Sequence, residues 1–314
     1  MEHTNIVNCP VCKNNENSFY IATNALMHEP NKERYTFNIC ANCETVFLTN
    51  PVTSENLNHY YTENYLPYRG SKAWGKYSSF VENSQKTLDL NRVNFVKKYL
   101  NNDKNIKNVL DVGCGNPSFL KLLHQKAKVS CTGIDFSDSG WKGTRYNDLT
   151  LKNVAIENFN TTKLFDIITL WHYLEHDYNP NQTIEKLYNC LQPGGKLIIE
   201  VPDYKSLSSK IQKSFWQGWH SPRHLSLFSK KSFDILFSKY KWHIAKHLRY
   251  GTLDAFTLWW LGKMEKKGIN WSGNMAPHFW MLVFLKVISF PVFIFEKIIP
   301  LGIQILVVEK NNID

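Results

Sequence analysis

Several features are missing from this sequence, and each absence removes a class of protein. No segment repeats with a period of roughly 20 to 50 residues, which removes solenoids and propellers. No long low-complexity tract interrupts the chain, so extended disordered linkers are not expected. Residues 1–10 are polar, include Glu2 and Asn5, and lack the positive and apolar regions of a secretory signal, so the expected location is the cytoplasm. There is no arginine-rich tract either. The formal charge of +10 is scattered through Lys/Asn-rich stretches such as 101–108. Alone it does not choose between nucleic acid, an anionic membrane, an acidic substrate and a solvated basic surface.

What is present is a chain of 314 residues, 43% hydrophobic and 14% aromatic, enough for one full α/β domain and a smaller appendage. The seven cysteines are an odd number. Four of them form two Cys-x-x-Cys pairs, which in a reducing compartment indicates metal ligation rather than a disulfide framework. Cys9-Pro-Val-Cys12 and Cys40-Ala-Asn-Cys43 stand 27 residues apart. Four thiolates at this spacing can converge tetrahedrally on Zn²⁺ in a closed, structural site. Residues 1–50 alternate the cysteine pairs with β-prone runs at 18–22, 35–39 and 45–48, a small β-ribbon that buries too little to stand without a staple. Residues 51–105 read as a connector with Tyr60, Tyr61, Tyr65 and Tyr68, leading into a helix over 79–100.

From residue 106 to 314 short apolar runs alternate with amphipathic segments, the pattern of βα units and a mostly parallel sheet. Seven strands are expected, at 108–111, 129–135, 154–156, 165–170, 196–201, 242–249 and 304–309. About 251–302 is an unusually apolar insertion before the last strand. Its run 278–295 holds a single charge, Lys286, and is broken by Pro291. Three readings stay open for it: a transmembrane helix, a helical element that docks on a membrane surface, lipid-like substrate or second subunit, and a buried helical lid.

The chemistry concentrates in Val109-Leu-Asp111-Val-Gly113-Cys114-Gly115-Asn-Pro117, a strand entering a glycine turn and then a helix. Glycines let the backbone approach a ligand, and Pro117 suits a helix start. Dinucleotide folds use a similar turn, but a carboxylate two residues before the first glycine would repel a pyrophosphate and attract a cationic methionine moiety. Asp135 follows at the end of the next strand, 20 residues after Gly115, positioned for ribose hydroxyls. A Pro-Gly-Gly turn at 193–195 then delivers another buried strand.

Over 106–201 the sequence resembles the class I, Rossmann-like S-adenosylmethionine-dependent methyltransferases, nearest the subgroup acting on small molecules, including ubiquinone-type O-methyltransferases. The fold implied is a seven-stranded α/β sheet with helices on both faces. The resemblance implies that Asp111, Gly113, Cys114 and Gly115 hold the methionine end, Asp135 the ribose and Phe136 one adenine face, with Trp171 beside them. The adenine-binding position falls on Glu157 or Asn158. Pro117 stands where the family often has a third glycine. The cysteine-rich segment resembles the zinc-binding segment of some methyltransferases acting on nucleotide-linked deoxysugars, without their Tyr-His-Glu-His element.

Methyl transfer to a hydroxyl or acidic carbon needs alignment and a base. His172 and His176, in His172-Tyr-Leu-Glu175-His176, form one candidate group. In ubiquinone-type enzymes the similar position reads Glu-x-x-Glu-His and is linked to a divalent metal; here His172 replaces the first Glu. The second group, Trp216-Gln-Gly-Trp219-His220-Ser-Pro-Arg223-His224, offers His220 and His224 as catalytic residues and Trp219 and Arg223 as substrate contacts. The expected function is methylation of oxygen or carbon on a small-molecule, sugar or lipid-like acceptor, with contact to the inner membrane face through 278–295. RNA methylation and a catalytically silent scaffold are the alternatives. A nucleic-acid partner is not expected, because a Pro-Pro-aromatic motif and an RNA-binding module are both missing. Oligomeric state is left open.

Overall fold

The computed structural model describes residues 7–28, 33–61, 65–100 and 107–311. The polar start at 1–6 and the basic stretch 101–106 lie outside them. The first three strands are β1 (Asn17–Asn24), β2 (Arg34–Cys40) and β3 (Val46–Leu48). A connector carries the short helix α1 (Leu66–Arg69) and the long α2 (Ser78–Lys97), close to the expected 79–100. Then follow β4 (Asn108–Val112), α3 (Ser118–Ala127), β5 (Ser130–Asp135), β6 (Leu149–Asn153), β7 (Phe165–Trp171), α4 (Pro180–Cys190) and β8 (Leu191–Pro202). The chain closes with α5 (Leu207–Gln212), β9 (Ser226–Leu227), α6 (Lys230–Leu236), β10 (Trp242–Leu248), α7 (Ala255–Lys267), α8 (Phe279–Phe293) and β11 (Ile303–Lys310).

Seven of these strands form the main sheet in the order β10-β11-β8-β7-β4-β5-β6. β4, β5, β6, β7 and β8 run parallel, while β11 is antiparallel to both β8 and β10. The expected Rossmann-like α/β sheet is therefore present, with seven strands. Chain direction across the sheet reverses between β4 and β7, where Asp111 pairs with Thr169. Open sheets of this kind bind ligands beyond the carboxyl ends of their strands at such a reversal. α3 packs Phe119, Leu120 and Leu123 onto the sheet and ends at Lys128 in the left-handed conformation.

The third strand is not at 154–156 but at Leu149–Asn153. An edge strand needs only one half-buried face, so Leu149 and Leu151 suffice and the run reads as polar. The apolar Ile156, whose pattern suggested a strand, instead turns into the core through a short 3₁₀ turn with Phe159. The Pro-Gly-Gly turn is absorbed into the start of β8, with Gly194 at φ 71°.

The first three strands make a second sheet, and its fourth strand is β9, far along the chain. Val46 pairs with Leu227 and Phe47 with Ser226. Cys9, Val11, Cys43 and Phe47 share one hydrophobic core with Leu110 and Leu170 of the main sheet. The insertion is helical, as expected. α7 is capped by Asp254, whose carboxylate accepts the Phe256 N–H at 3.0 Å, and closed by Gly268 at φ 64°. α7 buries Phe256, Trp260 and Met264 against Trp74, Trp271 and Met275, fastening the connector to the insertion.

Candidate active site

The carboxyl ends of β4 and β5 place Asp111 and Asp135 on either side of the glycine turn. Gly113 and Cys114 donate their N–H groups to the Ile134 carbonyl at 2.8 and 3.1 Å, which folds the turn back against β5. Gly113 has φ 72°, and an added Cβ would lie 2.5 Å from the Tyr173 ring, so only glycine fits beneath that ring. Gly115 has φ 48° and open space over it. The Cys114 side chain is buried against Gly133 and Leu120, leaving only its backbone toward the turn. Pro117 stands immediately before α3.

Asp111 is 4% exposed and accepts a 2.6 Å hydrogen bond from Thr169 Oγ1. Burial raises its pKa to about 7 against the lowering effects of Thr169 and Arg92. Asp135 accepts from Gly115 N–H at 2.9 Å and Ser137 N–H at 3.0 Å, and burial also pushes it up. Two desolvated carboxylates flanking a glycine turn suit a ligand bearing an ammonium group and ribose hydroxyls, because an added cation and added donors would further offset their burial. A pH effect follows. Loading a cation beside Asp111 requires the carboxylate form, so adenosylmethionine affinity is expected to fall as pH drops below about 7, approaching tenfold per pH unit. Calorimetry between pH 8 and 6 checks this.

Around the turn, Phe136 is 56% exposed and meets Tyr61 edge-on at 6.3 Å. Glu157 and Asn158 are exposed in the 3₁₀ turn Ile156–Asn158, where the Glu157 carbonyl accepts from Lys186 at 2.7 Å. Trp171 is buried at the end of β7, edge-on to Phe119 and 5.0 Å from the Arg92 guanidinium.

Past β7 the histidines divide into two environments. His172, at φ 55°, faces two fully buried carboxylates: Nδ1 lies 3.1 Å from Glu175 and Nε2 3.2 Å from Glu200. Burial favours the neutral ring, but the two carboxylates outweigh it and raise His172 to about 9, so the ring is an imidazolium at neutral pH. Glu200 is held in turn by Thr252 N–H and, at 2.8 Å, Thr252 Oγ1, with Arg92 at 3.9 Å. Its pKa is lowered: burial opposes this, and His172 and Arg92 prevail.

His176, His220 and His224 form the second group, with rings 4.6 Å apart for His176 and His224 and 5.1 Å for His220 and His224. Burial pushes all three pKa values down, those of His220 and His224 well below 6.5, so these rings are neutral. His176 Nδ1 lies 3.0 Å from the Arg223 carbonyl and His224 Nδ1 2.8 Å from the Gly218 carbonyl. A carbonyl only accepts, so both rings carry their proton on Nδ1 and keep an Nε2 lone pair. Tyr65 Oη is 2.8 Å from His220 Nε2, and Tyr61 Oη 3.1 Å from His176 Nδ1. Glu175, His176 and His224 also bring ligand atoms within 4.8 Å of one another, a set that could hold a metal ion.

Two sequence candidates occupy framework positions. Arg223 is 1% exposed, donates to the carbonyls of Tyr60 at 2.8 Å and Leu26 at 2.9 Å, and lies 4.2 Å over the Tyr65 ring. It ties ribbon and connector to the histidine loop. Trp219 is equally buried, donates to the Lys213 carbonyl at 2.9 Å and packs on Phe37. The sequence reading missed Thr169, Arg92, Tyr61, Tyr65 and Glu200. Tyr61 and Tyr65 stood out only as part of a tyrosine-rich connector, and Glu200 left a local trace as the one charge at the end of the apolar strand Leu197-Ile-Ile-Glu-Val.

The four ribbon thiols converge. Cys9 Sγ lies 3.4 Å from Cys43 Sγ, Cys12 Sγ 3.4 Å from Cys40 Sγ, and all four fall within 4.8 Å of one another. A donor set of four sulfurs at these distances suits a tetrahedral thiophilic ion.

Comparison with known proteins gives three findings. A family model described as a methyltransferase domain matches residues 83–247. The chain is similar to the ubiquinone biosynthesis O-methyltransferase of Saccharophagus degradans, with 29% identity over 104 residues, 30% of this chain and 43% of the relative. The same enzyme of Idiomarina loihiensis shares 29% over 103 residues, 30% of this chain and 42% of the relative. The chain thus spans less than half the length of these curated relatives. Among solved structures, the plantazolicin methyltransferase BpumL in complex with a monoazolic desmethylPZN analogue and SAH aligns with TM-score 0.48 at 16% identity, covering 78% of this chain and 96% of that one.

Proposed function

Since this chain belongs to the methyltransferase-domain family, we propose that it transfers the methyl group of S-adenosylmethionine to an oxygen or carbon of a small-molecule, sugar or lipid-like acceptor. The observation that supports this best is the pairing of two environments at the carboxyl ends of the strands: carboxylates at Asp111, buried, and Asp135, half-buried, and neutral imidazoles at His176 and His224. When bound, adenosylmethionine supplies a methyl group on a positively charged sulfur. Asp111 and Asp135 would hold its ammonium and ribose, with Phe136 along the adenine. Four thiolates of Cys9, Cys12, Cys40 and Cys43 would hold a structural Zn²⁺.

On the acceptor side, the Nε2 lone pair of His176 can take the proton that an acceptor hydroxyl or acidic carbon loses as its electron pair attacks the methyl carbon. His176 reports to the cofactor side through Tyr61, which also touches Phe136. Tyr65 and Arg223 fix the neighbouring His220. His172, held as a cation between Glu175 and Glu200, cannot take that proton and serves to position the loop.

The test is methyl transfer from labelled adenosylmethionine to a panel of hydroxylated and enolic acceptors. His176→Ala is expected to lower kcat about 100-fold or more with cofactor affinity unchanged. Because burial lowers the pKa of His176, the rate at saturating adenosylmethionine should hold down to pH 6.5 and fall only on the acid side of it. An unchanged rate in this variant would reassign the base to His224.

A further inference from the structure

The apolar insertion presents a face with little partner inside the protein. The segment Ala276–Phe293 is long and apolar enough by composition to cross a membrane, yet only 6% of it is buried. Trp280 is 67% exposed, and Phe284, Val287, Ile288 and Ile298 are exposed alongside it. The face continues beyond the helix. Leu207 donates its N–H to the Pro300 carbonyl at 2.8 Å, and this joins α5, with exposed Leu207, Ile211 and then Phe215, to the end of the insertion.

The topology of the chain argues against spanning by this helix. Pro291 lies within it, Lys286 pairs with Asp254 at 2.8 Å, and the chain runs on into β11 between β8 and β10. Charge then identifies the occupant. Residues 205–215 and 255–300 hold eight lysines and two acidic residues, Glu265 and Glu296. Glu265 is buried, accepting from Met27 N–H and Trp271 Nε1. Glu44 and Asp254 pair with Lys205 and Lys286, and counting them still leaves a surplus of four positive charges. A second copy of this chain would bring an equally basic face against it, a repulsive arrangement. An anionic bilayer satisfies both the apolar helix and its lysines. A cavity of about 510 Å³ shares Lys286, Phe290 and Lys297 with this face, and its wall also holds Lys98 and Phe256 together with the carboxylates of Asp254 and Glu296.

We infer that α8, with the adjoining edge of α5, is a docking surface on which the protein lies against an anionic lipid bilayer without crossing it. This is independent of the identity of the methyl acceptor. The test is flotation of the full chain with vesicles of phosphatidylcholine alone or with about 30% phosphatidylglycerol. Recovery is expected with the anionic vesicles, roughly tenfold less with the neutral ones, and falling as salt is raised. Phe284→Glu with Ile288→Glu, both at exposed positions, should abolish flotation while leaving adenosylmethionine affinity unchanged, which also certifies the fold. No recovery with either vesicle, equal recovery of the double variant, or a solution dimer that this variant dissolves would each overturn the inference.

Discussion

Asp111→Ala is expected to weaken adenosylmethionine binding by about 100-fold or more, the value of a desolvated charge-assisted contact of roughly 3 kcal/mol at 1.4 kcal/mol per tenfold. Its carboxylate is buried at the end of a central strand and held by Thr169. Three variants separate the charge from the shape. Asp111→Asn keeps the volume and removes the charge, so binding should be weak and flat between pH 6 and 8, where the parent protein varies because its carboxyl titrates near 7. Thr169→Val removes the hydroxyl that favours the ionised form. It should cost several-fold at pH 7 and displace the pH dependence upward, since the lost hydrogen bond lowers the Asp111 pKa. Calorimetry with each variant is the measurement. Parent-like affinity in Asp111→Ala would remove this residue from the site.

The second large effect concerns the cysteines. Purified protein is expected to carry one Zn²⁺ per chain by elemental analysis, and chelation or Cys43→Ser should lower the melting temperature by about 10 °C or more. This follows from zinc contributions of order 10 kcal/mol in small zinc modules, of which a loss of a few kcal/mol suffices at roughly 2–4 °C per kcal/mol in a domain of this size. The loss should not stay local. Cys43 sits in the core that contains Leu110 and Leu170, and its carbonyl accepts the hydroxyls of Ser229 at 3.2 Å and Ser232 at 3.1 Å. Those serines form the capping box of α6, and β9 just before them follows the histidine loop. Methyl transfer is therefore expected to disappear with the metal, although no thiolate belongs to the glycine-turn site. Metal-free protein with an unchanged melting point would eliminate the centre.

The parts that could be read from sequence are those whose cause is local. Val109 to Gly115 encodes strand and turn within seven positions, and the two cysteine pairs encode convergence by their spacing. The third strand was misread because its two inward leucines lie among polar residues, while the apolar Ile156 beyond it serves the core without being in a strand. β9, with two residues, is too short to carry periodicity at all. The histidine site was legible as a list and illegible as an arrangement. Nothing near His172 in sequence announces that Glu200 will face it, or that His176 and His224 will be kept neutral by burial while His172 is charged. Those outcomes depend on which carboxylates the sheet brings across. Arg223 reads as a substrate contact because it is an arginine in a polar loop; its bonds to the Leu26 and Tyr60 carbonyls, 197 and 163 positions away, are visible only in the folded chain.

The pairing of β3 with β9 has a consequence for biosynthesis. Val46 waits for Leu227, a separation of 181 positions, so the amino-terminal sheet stays one strand short until most of the polypeptide has left the ribosome. The cysteine knuckles emerge long before that strand does. Acquisition of the ion can thus precede docking, and a nascent chain stalled before residue 226 should hold metal while its sheet edge is still bare to chaperones.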